Sequence, residues 1–132
     1  MREIRRGDIF YINKGGDSEV GSEQRKGRPA IIVSNNANNK HSQVVEVVYL
    51  TTSGAKHSLP THVRISGAKL PSTALCEQVH SVSIDLLGNY FGRCANAEMR
   101  KVDHALSISL GLIRREEWKE GDGDAEKLDQ AV

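Results

Sequence analysis

The sequence predicts a mainly β domain, a small barrel, followed by one C-terminal helix. Three observations carry that expectation. Short β-branched runs recur with turn residues between them, which is the pattern of a small all-β sheet. A helical stripe appears once, after residue 95. At 132 residues, with 38% apolar and 27% charged residues, the chain has the composition of an ordinary globular domain with a single core.

Asp8 to Ile12 reads as the first strand, closed by Asn13-Lys14-Gly15-Gly16. Residues 13–27 are polar and glycine-rich. A connection of that length in a compact domain is usually a functional lid or a disordered segment. Arg28 to Ser34 is the second strand, with Pro29 at its start, where a missing N–H is tolerated. Asn35 to Asn39 is a turn-forming cluster, and Val44 to Leu50 the third strand. Thr51-Thr52-Ser53-Gly54 breaks the apolar run. Thr61 to Ile65 alternates Thr-His-Val-Arg-Ile, the period of a half-buried strand. Thr73 to Val79 is another strand, and Leu86 to Cys94 forms one or two more around Gly88 and Gly92.

The helix is read from Asn96 as its N-cap, Glu98 in its first turn, and a stripe of Met99, Val102, Leu106, Leu110 and Ile113. Beyond Arg115 the stripe is lost. The expected division is therefore a folded domain over 1–115 and an acidic, flexible tail over 116–132. Residues 114–132 hold four basic and seven acidic side chains, which leaves the preceding body at +4 in a chain of net charge +1. A mildly basic body suits a polyanion or an acidic partner.

Several function classes drop out. The longest apolar runs, such as Val47-Val48-Tyr49-Leu50, are far below the roughly 18 residues that span a bilayer. The basic N-terminus has no apolar segment behind it, so it does not read as a signal peptide and a cytoplasmic location is expected. Cys76 and Cys94 lack metal-ligand spacing and are expected to be reduced, half-buried thiols. The five histidines are scattered, so neither a zinc site nor another cofactor is expected. The chain contains no P-loop, G-x-S-x-G, H-E-x-x-H or G-x-G-x-x-G.

Four polar features sit at expected strand ends, and each has two readings. Arg28 either grips an anion through two parallel hydrogen bonds or pairs with Glu23 or Glu77 on the barrel rim. Thr51, Thr52 and Ser53 form either a local turn or an anion cradle of converging N–H and O–H groups. Glu77 and Gln78 are outward residues of an ordinary strand or members of a site. His80 is a rim histidine or a proton carrier. A cofactor-free enzyme built from such groups suits RNA cleavage. The RNA supplies its own nucleophile, the 2′-hydroxyl, and the protein orients the attack and stabilises the added charge.

The matching segments are Arg6-Gly7-Asp8-Ile9-Phe10-Tyr11, Gly21-Ser22-Glu23-Gln24, Gly27-Arg28-Pro29, Leu50-Thr51, Leu59-Pro60-Thr61-His62-Val63, Glu77-Gln78, and Val102-Asp103-His104-Ala105-Leu106 with Ser109-Leu110. In this order the chain resembles the MazF/PemK (Kid-like) toxins of type II toxin–antitoxin modules. The resemblance implies an SH3-like barrel with a C-terminal helix, assembled as a two-fold homodimer. It also implies a metal-independent, sequence-specific endoribonuclease that cuts single-stranded RNA, typically mRNA, and is neutralised by a small acidic antitoxin.

By the same resemblance Arg28 and Thr51 take the catalytic positions, with Glu77 and His80 as supporting or acid/base candidates. Ser22, Glu23, Gln24, Thr52, Ser53 and Gln78 are the expected RNA contacts. Ser22, Leu75 and Glu77 stand where the Kid branch has histidine, arginine and aspartate, and His80 where many MazF members have arginine. The Arg/Thr pair is thus the better guide, and the general base stays open. Two other readings compete: a gyrase-binding toxin like CcdB, and a catalytically silent SH3-like interaction module.

Overall fold

The computed structural model describes residues 3–13, 27–52 and 59–113. Six strands, β1 (Asp8–Ile12), β2 (Arg28–Ile32), β3 (Val44–Thr51), β4 (His62–Ile65), β5 (Ser72–Ser83) and β6 (Leu87–Arg93), form one sheet. Its order is β4-β5-β3-β2-β1-β6, and every neighbouring pair is antiparallel. A short helix α1 (Asn36–His41) links β2 to β3, and helix α2 (Asn96–Ser109) follows β6.

Alternation along the strands builds two apolar layers. Ile9, Ile31, Val48, Leu50, Val63, Ile65, Ala74 and Cys76 face α2, which contributes Val102, Ala105 and Leu106. The intervening residues Phe10, Ile12, Ala30, Ile32, Val45, Val47 and Val82 form a second cluster with Ile4 on the opposite face. Full burial of a side chain such as Ile31 is worth roughly 2–3 kcal/mol. Removing two methyl groups from Val102 would cost about 2 kcal/mol.

The sheet curls until its edge strands approach. A Cβ on Gly67, just beyond β4, would lie 2.2 Å from the Arg93 carbonyl oxygen on β6. A Cβ on Gly92, where φ is +141°, would lie 2.2 Å from the Gly67 carbonyl oxygen. Two glycines thus let the edges meet, and the expected mainly β fold with a C-terminal helix is the observed one.

Three local expectations shift. The asparagine cluster is not a plain turn: Asn35 caps α1 by accepting a hydrogen bond from the Asn38 N–H at 2.8 Å. Asn39 is buried inside that helix and ties back to Ser34, donating to its carbonyl at 2.8 Å. At the N-terminus of α2 the cap is Ala95, one residue before Asn96, and it has no side-chain acceptor. Glu98 compensates by accepting from the Ala95 N–H at 3.1 Å and from the Ser66 N–H and hydroxyl at 2.6 and 2.8 Å.

The helix stripe also stops earlier than expected, with Leu110 59% exposed. Gly111, at φ +71°, ends the helix, donating to the Ile108 carbonyl while the Leu112 N–H bonds that of Ser107. This is the glycine-terminated helix end that satisfies the last carbonyls. Cys76 and Cys94 are free and fully buried rather than half-buried. The tail over 116–132 lies outside the described residues, so the proposed division at residue 115 remains an expectation.

Candidate functional site

Gly27 sets the geometry. Its φ is +75°, and a Cβ there would lie 1.8 Å from the Ile12 carbonyl oxygen. Only glycine lets the chain turn this tightly against the end of β1. The next residue, Arg28, opens β2 opposite Ile12, with Pro29 opposite Tyr11.

From there Arg28 leans over β3. Its Nη2 donates a long hydrogen bond, 3.4 Å, to the Leu50 carbonyl. Its guanidinium carbon sits 4.8 Å from the centre of the Tyr49 ring. The β2–β3 register pairs Ala30 with Tyr49. Two residues further along, the same register sets Arg28 across from Thr51, on one face of the sheet. Thr51 closes β3, half-buried and paired with Thr73 of β5. Arg28 and Thr51, 23 positions apart in the sequence, are therefore brought to one strand end.

The β3–β5 ladder breaks beside them. Val48 pairs with Val79, yet Leu50 pairs with Ala74. Leu75 to Gln78 bulge out against Tyr49 alone, the kind of irregularity that re-aims side chains beside a site. Glu77 and Gln78 are exposed on that bulge. Glu77 does not pair with Arg28, as the rim reading allowed. Its Oε2 lies 2.9 Å from Nε2 of His62 on β4. His80, opposite Val47, meets the Tyr49 ring in a T-shaped contact, with 5.0 Å between centroids and 73° between planes. Thr52 is exposed just past the end of β3. Ser22, Glu23, Gln24 and Ser53, together with most of the 13–27 loop, lie outside the described residues.

Among the expected residues, then, the β2–β3 register sets Arg28 across from Thr51, and Tyr49 links Arg28 to His80, whereas Glu77 turns to His62 and Gln78 is exposed on the bulge. Two others escaped sequence reading. Tyr49 looked like one member of an apolar run ending at Leu50, although alternation already put it on the face of Thr51. His62 looked like an ordinary strand residue, and nothing local points it at Glu77, 15 positions away.

The Arg6-Gly7-Asp8 segment proves architectural. Arg6 bonds the Val33 carbonyl at 2.7 Å and Asp103 of α2 at 2.7 Å. Asp8 takes Arg93 at 2.6 Å and the Arg5 N–H at 2.9 Å. Among the described residues no three His, Cys, Asp or Glu side chains converge as metal ligands, and no helix is long and apolar enough to cross a membrane.

An arginine and a threonine thus lie across one register at one strand end, and comparison with known proteins gives the chain a lineage. Residues 5–110 match the family model of PemK-like, MazF-like toxins of type II toxin–antitoxin systems. The chain is 34% identical over 114 residues to Endoribonuclease EndoA of Bacillus subtilis strain 168, covering 83% of this chain and 97% of that protein. A solved endoribonuclease from mycobacterial species, 29% identical, superposes with a TM-score of 0.69 over 90% of this chain and 98% of its own. A mycobacterial endoribonuclease solved in complex with its cognate antitoxin, 30% identical, gives a TM-score of 0.70 over 84% and 98%. A MazE–MazF structure from Deinococcus radiodurans, at 16% identity and a TM-score of 0.68, shares the fold. With fold and sequence agreeing over nearly the whole described chain, this protein belongs to the PemK-like, MazF-like toxins of type II toxin–antitoxin systems.

Proposed function

We propose that this protein is a toxin that acts as an endoribonuclease on single-stranded RNA, with Arg28 and Thr51 as its catalytic pair. The observation that carries the reading is their placement across one register of β2 and β3, in a chain 34% identical to an endoribonuclease. In the reaction the ribose 2′-oxygen bonds to the adjacent phosphorus and the bond from phosphorus to the 5′-oxygen breaks. The products are a 2′,3′-cyclic phosphate and a 5′-hydroxyl. The 2′-hydroxyl gives up a proton and the leaving 5′-oxygen gains one.

Arg28 stabilises the negative charge that grows on the phosphorane, where a fixed cation is worth most. Thr51 hydrogen-bonds the scissile phosphate or the attacking hydroxyl. Glu77 and His80 are the nearby candidates for moving the proton. Gln78 and Thr52, with Ser22, Glu23, Gln24 and Ser53, contact the RNA. The partners are a second copy of the chain in a two-fold dimer and an acidic antitoxin whose charge mimics the RNA backbone. An mRNA substrate places the work in the cytoplasm.

The test incubates purified protein with a long single-stranded RNA in excess chelator and maps the new ends. Cyclic phosphate ends are expected, and RNA left intact at high enzyme would sink the proposal. Gyrase inhibition without RNA cleavage would instead favour the CcdB-like reading. Antitoxin binding indifferent to ionic strength would remove the charge-mimicry account.

A further inference from the structure

Arg28 faces an aromatic ring where a carboxylate would be the usual restraint. Among the described residues no acidic side chain lies within ion-pair distance of it, and Glu77 is occupied by His62. Among the described residues its guanidinium is held by a long bond to the Leu50 carbonyl and by the face of Tyr49, 4.8 Å away. Tyr49 is in turn flanked on its other side by the His80 ring, because β3 lies between β2 and β5. Arg28, Tyr49 and His80 thus form a row across three adjacent strands.

The chemistry of that row differs from an ion pair in one decisive way. A carboxylate would fix the guanidinium but neutralise it and occupy the N–H donors a phosphate needs. An aromatic face attracts the cation through its quadrupole. The ring does not itself take up the planar fork of N–H groups. The ring restrains the charge without cancelling it. The Tyr49 ring is half-buried and its strand neighbours Val48 and Leu50 are buried in the core, so the support is itself fixed.

We infer that Tyr49 is a positioning residue, which orients the Arg28 guanidinium for the phosphate through its ring face, with His80 as the ring's buttress. The inference rests on the proposed ribonuclease reading and adds to it a residue that acts only through Arg28. The phenol hydroxyl has no part in it; the ring does the positioning.

A double-mutant cycle tests this on the full-length protein. Tyr49→Leu should lower the rate at saturating RNA about tenfold, the scale of one partly buried cation–ring contact, with little change in KM. Tyr49→Phe, which keeps the ring, should restore the rate to within about threefold. In an Arg28→Ala background Tyr49→Leu should cost nothing further, because the group it positions is gone. Independently of activity, the side-chain NMR signals of Arg28 in arginine-labelled protein should shift upfield in the wild type and in Tyr49→Phe, and lose that ring-current shift in Tyr49→Leu.

Tyr49→Leu losing as much in the Arg28→Ala background as in the wild type would overturn the inference, as would an unshifted Arg28 signal in the wild type. Wild-type protein that shows the shift but leaves RNA intact would overturn the ribonuclease reading instead, so the two failures are separable. Thermal melts of each variant guard against loss of fold; if Tyr49→Leu unfolds, Tyr49→Met, which keeps bulk without a ring, takes its place in the cycle.

Discussion

Asp8 and Arg93 are register partners on β1 and β6, and Arg93 Nη1 donates to Asp8 Oδ1 at 2.6 Å. The carboxylate is 1% exposed while the guanidinium side chain is 40% exposed. Asp8 also accepts from the Arg5 N–H, so one buried acid fixes both the N-terminal segment and the last strand. Asp8→Ala strands the Arg5 donor but frees Arg93 to be hydrated. It should lower unfolding free energy by about 2 kcal/mol, below the cost of breaking a fully buried pair. Urea denaturation followed by circular dichroism measures it; a loss under a few tenths would mean the pair is idle.

Arg28 and Thr51 should behave in the opposite way, costing activity and little stability. Arg28→Ala should reduce RNA cleavage on the order of 10²–10³-fold. Arg28→Lys should rescue little, since an ammonium lacks the planar fork. Thr51→Ser, which keeps the hydroxyl, should cleave faster than Thr51→Ala. Melting temperatures within a few degrees of wild type are expected for all of them.

Burial raises the thiols of Cys76 and Cys94 to about 12, helped by the negative charges of Glu77 and Glu98 respectively. Neither forms a thiolate at neutral pH, so native protein at pH 8 should resist iodoacetamide, whereas protein in guanidinium should react at both. An unperturbed thiol titrates at 9.0. The fold favours the protonated form, so the unfolded chain binds fewer protons between about 9 and 12. Stability should therefore fall as pH rises through that window. Cys76→Ala should flatten the alkaline decline seen in urea midpoints.

Glu98 titrates the other way. Partial burial pushes its carboxyl up, but the Ser66 N–H and hydroxyl, the Ala95 N–H and the charge of Lys101 outweigh that and hold it below its usual value. Its contribution is present above the unfolded carboxylate value and lost as pH falls through the lowered folded one. Glu98→Gln should remove that part of the acid sensitivity, and Ser66→Ala should reduce it. Urea midpoints measured from pH 6 down to pH 3 provide the check.

The Gly67–Gly92 contact should tolerate nothing larger than hydrogen. Gly67→Ala forces a Cβ to within 2.2 Å of the Arg93 carbonyl oxygen, and backbone cannot swing aside as a side chain can. A loss of about 2 kcal/mol or more is expected. Gly111, where a Cβ meets nothing within 4 Å, is the control: Gly111→Ala carries only the left-handed φ penalty, about 1 kcal/mol.

How much of this was legible beforehand follows from the range of the interactions. The first strand was read to the residue, because Asp8-Ile9-Phe10-Tyr11-Ile12 is bounded by turn formers and needs no distant partner to declare itself. Arg28 was legible because Gly27 and Pro29 bracket it. Asn35 was read as a turn former although it caps a helix, since the same short side chain serves both. The bulge at Leu75 to Gln78 was not legible: it exists only relative to β3. For the same reason the His62–Glu77 pair and the row through Tyr49 were hidden. Each is a cross-strand relation that local pattern does not encode. Residues 13–27 carried the largest functional expectation, and most of them lie outside the described residues.

The meeting of Gly67 with Gly92 also bears on the order in which this chain can assemble. β1, β2 and β3 are sequential neighbours in the sheet and can zip up locally, whereas β6 must return across more than eighty residues to lie beside β1. Such long-range closure is slow, because its entropy is lost before its contacts form. A chain emerging from the ribosome can thus set β2 beside β3 well before residue 93 is made, yet it leaves β1 with an unpaired edge. For a protein of this family the last strand to arrive is the one that turns an open, adhesive sheet into a finished toxin.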